Sequence, residues 1–507
     1  MSIHFPRRIF PEVSPSVRQL AEQAFSRAAG APLIPGNGIA LLRDAAQNYP
    51  AWLEAMRSAT EHIHFENYFI TEDDVGRQFA DLMIAKAAEG VKVRLIYDWF
   101  GSFGKASRRF WRELEEAGVD VRCFNPPRID QPLGLFIRDH RKMLAVDGSL
   151  GFVTGLCVGR MWAGFPERAI EPWRDTGVMV TGPAVADIEQ AFAEVWATLG
   201  TPLPEDEIPP RSSLHPAGDV TMQVIATAPY TAGLYRLDQL IAAVARTSLW
   251  LTDAYFVGLP TYVQALRAAA LDGVDVRLLV PGTTDIPVIR AVSRAGYQPL
   301  LEAGVRVFEW NGPMLHAKTA VADGRWARIG STNLNLSSWI GNYELDVAVE
   351  DEAFARGMER VYLEDLSRST EVVLSERKRV CLAQTRPRPP YRVRRKAKGS
   401  ISRAGMGMIK LGNVVEAAIS SQRTLGPAEA KITFSAGAIL LALAVVAVLW
   451  PELLAVPFAF FSIWLALSLL LRANKLRRRR NASESDHSVP SERKQPPHCQ
   501  PHADDER

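Results

Sequence analysis

His140-Arg-Lys-Met-Leu-Ala-Val-Asp147 and His316-Ala-Lys-Thr-Ala-Val-Ala-Asp323 are one phrase written twice. In each copy His and Lys stand two apart, and an Asp follows the Lys after four residues. The residues between are mostly apolar, so each copy is expected to be a strand. Side chains alternate between the faces of a strand, so His and Lys project together and an imidazole and an ammonium converge on one point. A single pair of this kind would carry little weight, because a histidine beside a lysine is usually a surface pair. Two copies with the same spacing carry much more when they occupy matching places in a repeat.

Such a repeat is present. HIHFENYFI (62–70), an alanine-rich helical stretch and EGVKVRLIYD (89–98) in the first half are answered by LWLTDAYFV (249–257), a similar stretch and DGVDVRLLVP (272–281) in the second. LEEAGVDVRCF (114–124) is likewise answered by LLEAGVRVFEW (300–310). Short β-branched strands alternate with amphipathic helices in both halves, which is the signature of an α/β layer around a central sheet. The Pro-rich polar stretch TPLPEDEIPPRSSLHPAGD (201–219) is the natural junction, so two similar domains facing one another are expected.

The 507 residues, 47% of them apolar, suffice for the cores of two or more domains and exclude a disordered chain. Cys123, Cys157, Cys381 and Cys499 are scattered without a C-x-x-C pair, which suggests neither a disulfide framework nor a thiolate zinc site. The start, MSIHFPRRIFPEVSPSVRQL, has basic residues but no apolar run, so no secretory signal peptide is expected. The net charge of +3 conceals an asymmetry. Arg377 to Lys410 holds twelve basic residues and Arg472 to Arg480 six more, neither segment containing an acid; setting these eighteen aside leaves 41 basic residues against 56 acidic ones. The repeats are therefore acidic, and the basic charge is concentrated beside the C-terminal apolar region. That arrangement suits an anionic membrane surface better than a nucleic-acid groove.

The apolar region, ITFSAGAILLALAVVAVLWPELLAVPFAFFSIWLALSLLL (432–471), carries only Glu452 as a charge. A helix needs about 20 apolar residues to span the hydrocarbon, and Trp450-Pro451-Glu452 interrupts the run near its middle. Two transmembrane helices are expected, with both basic flanks and the repeats on the cytoplasmic side. Residues 404–422 have apolar side chains at roughly helical spacing, as an interfacial helix or an ordinary connector would. The expected order is an N-terminal extension (1–35), a first domain (36–200), a linker (201–219), a second domain (220–376), a basic juxtamembrane linker (377–431), the transmembrane hairpin (432–471) and a disordered polar tail (472–507).

The duplicated phrase and its surroundings resemble the phospholipase D superfamily, and within it the bacterial cardiolipin synthases. The likeness rests on FENYFITEDDVGRQFAD (65–81), EGVKVRLIYDWFGS (89–102), DHRKMLAVDG (139–148), WRDTGVMVTGPAV (173–185), LHAKTAVADGRWARIGSTNLNLSS (315–338) and NYELDV (342–347), which together span about residues 36–370. The C-terminal hairpin lies outside it. The resemblance implies two pseudo-symmetric α/β/α domains with one site between them. The second motif is complete by the family's pattern, with Gly330, Ser331 and Asn333 following Asp323. The first departs from it, because Thr154-Gly155-Leu-Cys157 stands where the family usually has two small residues followed by Asn.

Displacement at a phosphodiester needs a nucleophile, an acid for the departing alkoxide and positive charge around the phosphoryl oxygens. Two histidines can divide the first two roles, one forming a phosphohistidine while the other protonates the leaving alcohol and then deprotonates the incoming one. The catalytic set is therefore expected to be His140, Lys142, Asp147, His316, Lys318 and Asp323. The resemblance implies that Asp147 and Asp323 act structurally, that Asp175 and Glu344 orient the histidines, and that Ser331 and Asn333 donate to the phosphate. Glu66 and Asp253, each two residues before a tyrosine, are either carboxylates near the cleft or ordinary strand-end acids. No metal or cofactor is called for. The leading expectation is transfer of phosphatidyl from one phosphatidylglycerol to another, giving cardiolipin and glycerol at a bacterial inner membrane, with phospholipids as partners. The alternatives are hydrolysis to phosphatidic acid, a nuclease or phosphodiesterase of the same superfamily, and a non-enzymatic membrane scaffold. The acidic balance of the repeats disfavours the nuclease, and survival of both motifs disfavours the scaffold.

Overall fold

The computed structural model describes residues 17–127, 137–375 and 380–383, together with eight helical positions between Val456 and Leu467. Its strands are β1 (Ile34–Arg43), β2 (His62–Asn67), β3 (Lys92–Asp98), β4 (Asp120–Phe124), β5 (Lys142–Val146), β6 (Leu150–Thr154), β7 (Thr176–Thr181), β8 (Val220–Thr227), β9 (Ser248–Thr252), β10 (Asp275–Pro281), β11 (Arg306–Trp310), β12 (Thr319–Ala322), β13 (Trp326–Gly330), β14 (Glu344–Glu350), β15 (Ser369–Leu374) and β16 (Val380–Leu382). All sixteen belong to one continuous sheet. From the centre outward the first repeat runs β1-β7-β6-β5-β2-β3-β4 and the second β8-β14-β13-β12-β9-β10-β11, the same order displaced by seven strands. β15 and β16 extend the second edge. Only β2, β3 and β4 and their counterparts β9, β10 and β11 pair in parallel. This is the two-repeat α/β architecture expected from the sequence.

Local chemistry fixes the helix starts. Asp73 accepts from the amides of Val75 and Gly76 to open Asp74–Ala88, Ser107 caps Arg108–Glu116 through the amide of Phe110, and Asp351 caps Glu352–Ser367 through that of Phe354. The apolar faces of the helices pack on the sheet. One cluster fills the first repeat around Trp52, Phe65, Phe79 and Phe110, and another the second around Leu234, Leu251, Leu266 and Trp339. A third cluster joins Val178, Val180, Ile188 and Phe192 to Val224, Ile329, Val347 and Met358, so the two repeats share a core.

The repeats meet edge to edge where β1 pairs with β8. Asn37, fully buried at this seam, donates from Nδ2 to the carbonyl of Ile34 at 2.7 Å and of Val220 at 3.3 Å, and its Oδ1 accepts from the amide of Ala184 at 2.8 Å. The segment read as an N-terminal extension takes part in the fold: Phe25 and Ala29 of the helix Val17–Ala29 join the core of the second repeat. The junction 201–219 is tied back onto the first repeat, where Glu207 accepts from Lys92 and Arg94.

Pro127–Leu133 and Leu440–Arg507 form a separate unit. Val380–Leu382, inside the expected basic linker, instead extends the sheet as β16. Nearly all the rest of that linker, the interfacial helix and the polar tail lie outside the described residues, as does the expected transmembrane hairpin apart from the eight helical positions. Among the described residues no helix is long and apolar enough to cross a membrane.

Asn37→Ala would leave a buried amide and two carbonyls without partners at the seam. Such groups cost about 1–3 kcal/mol each when water cannot reach them, so urea denaturation is expected to show a loss of at least about 2 kcal/mol. A loss under about 0.5 kcal/mol would mean the seam is held without this side chain.

Candidate active site

The strands were expected to contain the histidines, but β5 begins at Lys142 and β12 begins at Thr319. The residues just before each strand are drawn instead into pairing with the other repeat. Asp139 bridges Tyr343 and Arg174 bridges Leu315, both in parallel. The amide of His140 donates to the carbonyl of Tyr343 at 2.9 Å, and that of His316 to the carbonyl of Arg174 at 2.7 Å. Each histidine is thereby pulled across the interface to a carboxylate of the opposite repeat. His140 Nδ1 lies 2.8 Å from Glu344 Oε2, and His316 Nδ1 lies 2.7 Å from Asp175 Oδ2. Asp175 and Glu344 are equivalent positions, because Thr154 pairs with Gly177 as Gly330 pairs with Asp346.

Each lysine folds back beside its own histidine, Lys142 Nζ donating to the carbonyl of His140 and Lys318 Nζ to that of His316. Each repeat adds a tyrosine at one place. Tyr68 packs edge-on to His140 with centroids 4.9 Å apart and lies 5.1 Å from Lys142 Nζ, while Tyr255 packs on His316 at 5.9 Å and lies 5.8 Å from Lys318 Nζ. The tyrosines were visible only as neighbours of Glu66 and Asp253. Their contacts to the motif were not, since they join residues far apart in the chain.

Asp147 and Asp323 do not belong with this cluster, which corrects their place in the expected catalytic set. β5 has 5 residues, and at about 3.3 Å per residue it carries Asp147 some 16 Å beyond Lys142. There Asp147 accepts from the amides of Thr60, Glu61 and His62 at 2.8–2.9 Å, and Asp323 accepts from those of Arg246, Thr247 and Ser248 at 2.7–2.9 Å. Both stand at positive φ, 49° and 53°, in the turn that ends the strand. Burial disfavours their charge, but the amide donors outweigh it and hold both carboxyls below the ordinary range.

Ser331 was expected to face a phosphate, yet its hydroxyl donates to Glu344 Oε2 at 2.6 Å, and Asn342 Nδ2 donates to Oε1 at 3.2 Å. In the first repeat the matching residue is Gly155. A Cβ there would meet Asp175 Oδ1 at 2.3 Å, so the missing side chain makes room for the carboxylate. Trp162 Nε1 donates to Asp175 Oδ2 at 3.0 Å and its ring packs on His316, a contact with no sequence signal. Asn333 is buried, its Nδ2 3.5 Å from Ser338 Oγ and its Oδ1 without a partner among the described residues. Its counterpart Cys157 is also buried, its carbonyl accepting from Tyr49 Oη at 2.6 Å.

Glu66 and Asp253 are fully buried rather than surface acids. Burial and the nearby Asp139 push the Glu66 carboxyl well above its ordinary range, and Asp139 is itself raised to about 6 by burial. Asp253 rises to about 7 by burial although it accepts from the amides of Leu334 and Tyr255. Burial and repulsion from Lys142 lower Lys318 to about 8 despite the carboxylates of Asp175 and Asp253. Burial and Lys318 also hold His316 near 4, so its imidazole is neutral at pH 7. Two neighbouring imidazoles held by carboxylates, with two ammonium groups beside them, can attack a phosphodiester, move the accompanying proton and neutralise the phosphoryl oxygens.

His62, His64 and Glu189 have the composition of a metal-binding set. Here each imidazole meets its own oxygen of Glu189, and burial notwithstanding, these contacts hold that carboxyl down at about 2. They lie towards the start of β2, away from the Asn67 end that pairs with Lys142.

The sequence profile of a family described as cardiolipin synthase, PLD-like domain, matches residues 52–196 and 238–366. The chain is 34% identical over 340 residues to a cardiolipin synthase of Alkalihalophilus pseudofirmus, covering 66% of this chain and 67% of that one. It is 35% identical over 356 residues to cardiolipin synthase A of Pseudomonas fluorescens, covering 68% and 72% respectively. The crystal structure of phosphatidylserine synthase from Haemophilus influenzae has the same fold, with a TM-score of 0.54 at 14% identity over 69% of this chain and 91% of that one.

Glu344 gives the site a measurable pH signature. Burial raises its carboxyl from 4.5 to about 7, so the folded protein retains this proton where the unfolded chain has lost it. The resulting stability is present below about pH 4.5 and lost as pH rises through about 7, a total of about 3 kcal/mol. Glu344→Gln cannot ionise. In urea denaturation the wild type is therefore expected to lose about 3 kcal/mol relative to the variant between about pH 4.5 and pH 8. Parallel stability curves would contradict this.

Proposed function

The chain belongs to the cardiolipin synthase family of phospholipase-D-like proteins, and we propose that it moves the phosphatidyl group of one phosphatidylglycerol onto a hydroxyl of a second, forming cardiolipin and releasing glycerol. The observation that carries this reading is the crossed pairing, His140 with Glu344 and His316 with Asp175, which builds one site from both repeats.

In the first step a histidine Nε2 attacks phosphorus, a P–N bond forms and the P–O bond to glycerol breaks. The other histidine gives its proton to the departing oxygen. In the second step that same histidine takes the proton of the incoming hydroxyl, the new P–O bond forms and the P–N bond breaks. Asp175 and Glu344 hold the Nδ1 atoms, leaving the Nε2 atoms for chemistry. Lys142 and Lys318 lie beside the histidines, where they would balance the charge growing on the phosphoryl oxygens. The buried Oδ1 of Asn333, which has no partner among the described residues, favours a supporting role for it. Hydrolysis to phosphatidic acid would use the same groups with water as acceptor, so the products separate the two readings.

The membrane part of the proposal is sequence-based. The apolar stretch 432–471 with basic flanks supports a hairpin in a bacterial inner membrane, with the repeats on the cytoplasmic side beside their lipid substrates.

Purified protein in detergent micelles with radiolabelled phosphatidylglycerol is expected to yield cardiolipin and free glycerol. His140→Ala or His316→Ala alone should reduce that yield about a thousandfold or more. Phosphatidic acid as the sole product would make the protein a hydrolase, and single variants retaining a tenth of the activity would remove the two-histidine mechanism. The full-length protein should also stay with the membrane pellet in about 1 M salt, which screens charge beyond about 3 Å. Its release would show that basic residues alone hold it there.

A further inference from the structure

Lys105 follows the short helix Trp99–Ser102, which leaves the end of β3. Its Nζ lies 3.3 Å from the centroid of the Phe69 ring. Among the described residues the ammonium has no hydrogen bond and no ion pair. The neighbouring cations differ in this respect. Arg138 meets Asp98, Arg160 meets Asp74 and Glu167, and Arg174 meets Asp44 and Asp365. Arg141 is spent on the carbonyls of Ala191, Thr227 and Glu344.

Its surroundings lead into the reaction site. Phe69 packs on Trp162 at 5.6 Å, and Trp162 packs on His316 at 5.4 Å. The Cys157 thiol lies within the electrostatic reach of both Lys142 and Lys105. The carboxylate that acts on Lys105 is Asp285, which accepts from the hydroxyl of Tyr255, the tyrosine packed on His316. Residues of both repeats thus link this cation to His316. A half-buried ammonium that has a ring face and no direct ion pair among the described residues is only partly compensated.

The proposed reaction supplies an anion that the two motif lysines do not account for. The donor's phosphate is the one attacked. The acceptor brings a second phosphodiester, which stays intact on the glycerol whose hydroxyl attacks. We propose that Lys105 binds the phosphodiester of the acceptor lipid and so selects a phosphatidylglycerol acceptor over a neutral alcohol. This rests on the phosphatidyl-transfer reading above, and it assigns Lys105 to acceptor specificity without placing it in the bond-making steps.

The test sets two acceptors against one donor. Full-length protein in detergent micelles receives phosphatidylglycerol and radiolabelled free glycerol. Transfer to a second lipid gives cardiolipin; transfer to glycerol gives labelled phosphatidylglycerol through the same histidines and the same donor phosphate. Lys105→Met is expected to lower the ratio of cardiolipin to labelled phosphatidylglycerol about tenfold or more, the scale of one lost charge-assisted contact, while glycerol exchange stays within about twofold of wild type. Lys105→Arg should restore most of the ratio, since it keeps the charge. An unchanged ratio overturns the assignment, whether both products persist or both fall together. A wild-type protein that makes neither product refutes the transfer reading itself, and this assignment with it.

Discussion

Two backbone hydrogen bonds, from the amide of His140 to Tyr343 and from that of His316 to Arg174, do more than any side-chain contact to make this molecule one site rather than two half-sites. They fall just before the strands that carry the motif lysines, and each joins the entrance of one repeat's motif to the residue preceding the other repeat's orienting carboxylate. Neither repeat can complete its own histidine. The shared core behind them and the Asn37 seam keep the two halves of the sheet in the register this exchange requires.

Around that crossing lies a dense set of buried charge. Glu66, Asp139, Asp253, Glu344, Lys142 and Lys318 are all withdrawn from water. Burial displaces most of these groups toward their neutral forms, and ionic partners return part of the charge. Asp175 is an exception: burial would raise its carboxyl, but His316, Lys318 and the Trp162 donor hold it below the ordinary range. A phosphodiester entering such a site would add negative charge beside the two lysines, so substrate binding and relief of unfavourable burial would be coupled.

The repeat is symmetric in topology and asymmetric in chemistry. Strand order, the tyrosines and the turn aspartates recur faithfully. Asp175 answers Glu344, Gly155 answers Ser331 and Cys157 answers Asn333. The shorter carboxylate approaches through the space that a glycine leaves, with tryptophan as an additional donor. The longer carboxylate is held by serine and asparagine instead. A site with one pseudo-twofold axis thereby presents two unlike walls.

The two-repeat α/β fold is legible along the chain, because a periodic alternation of strands and helices and a duplicated HxKx4D phrase are local patterns that survive in one dimension. The sequence also marked His140, Lys142, His316 and Lys318, since i,i+2 spacing is enough to put two side chains together. It placed Asp147 and Asp323 in the phrase without revealing that a whole strand separates them from the lysines. The carboxylate that serves each histidine, the commitment of Ser331 to Glu344 and the packing of Trp162 on His316 emerge only from the folded chain. Those relations join residues far apart in the chain through the pairing of one repeat with the other, and no spacing along a single strand encodes them.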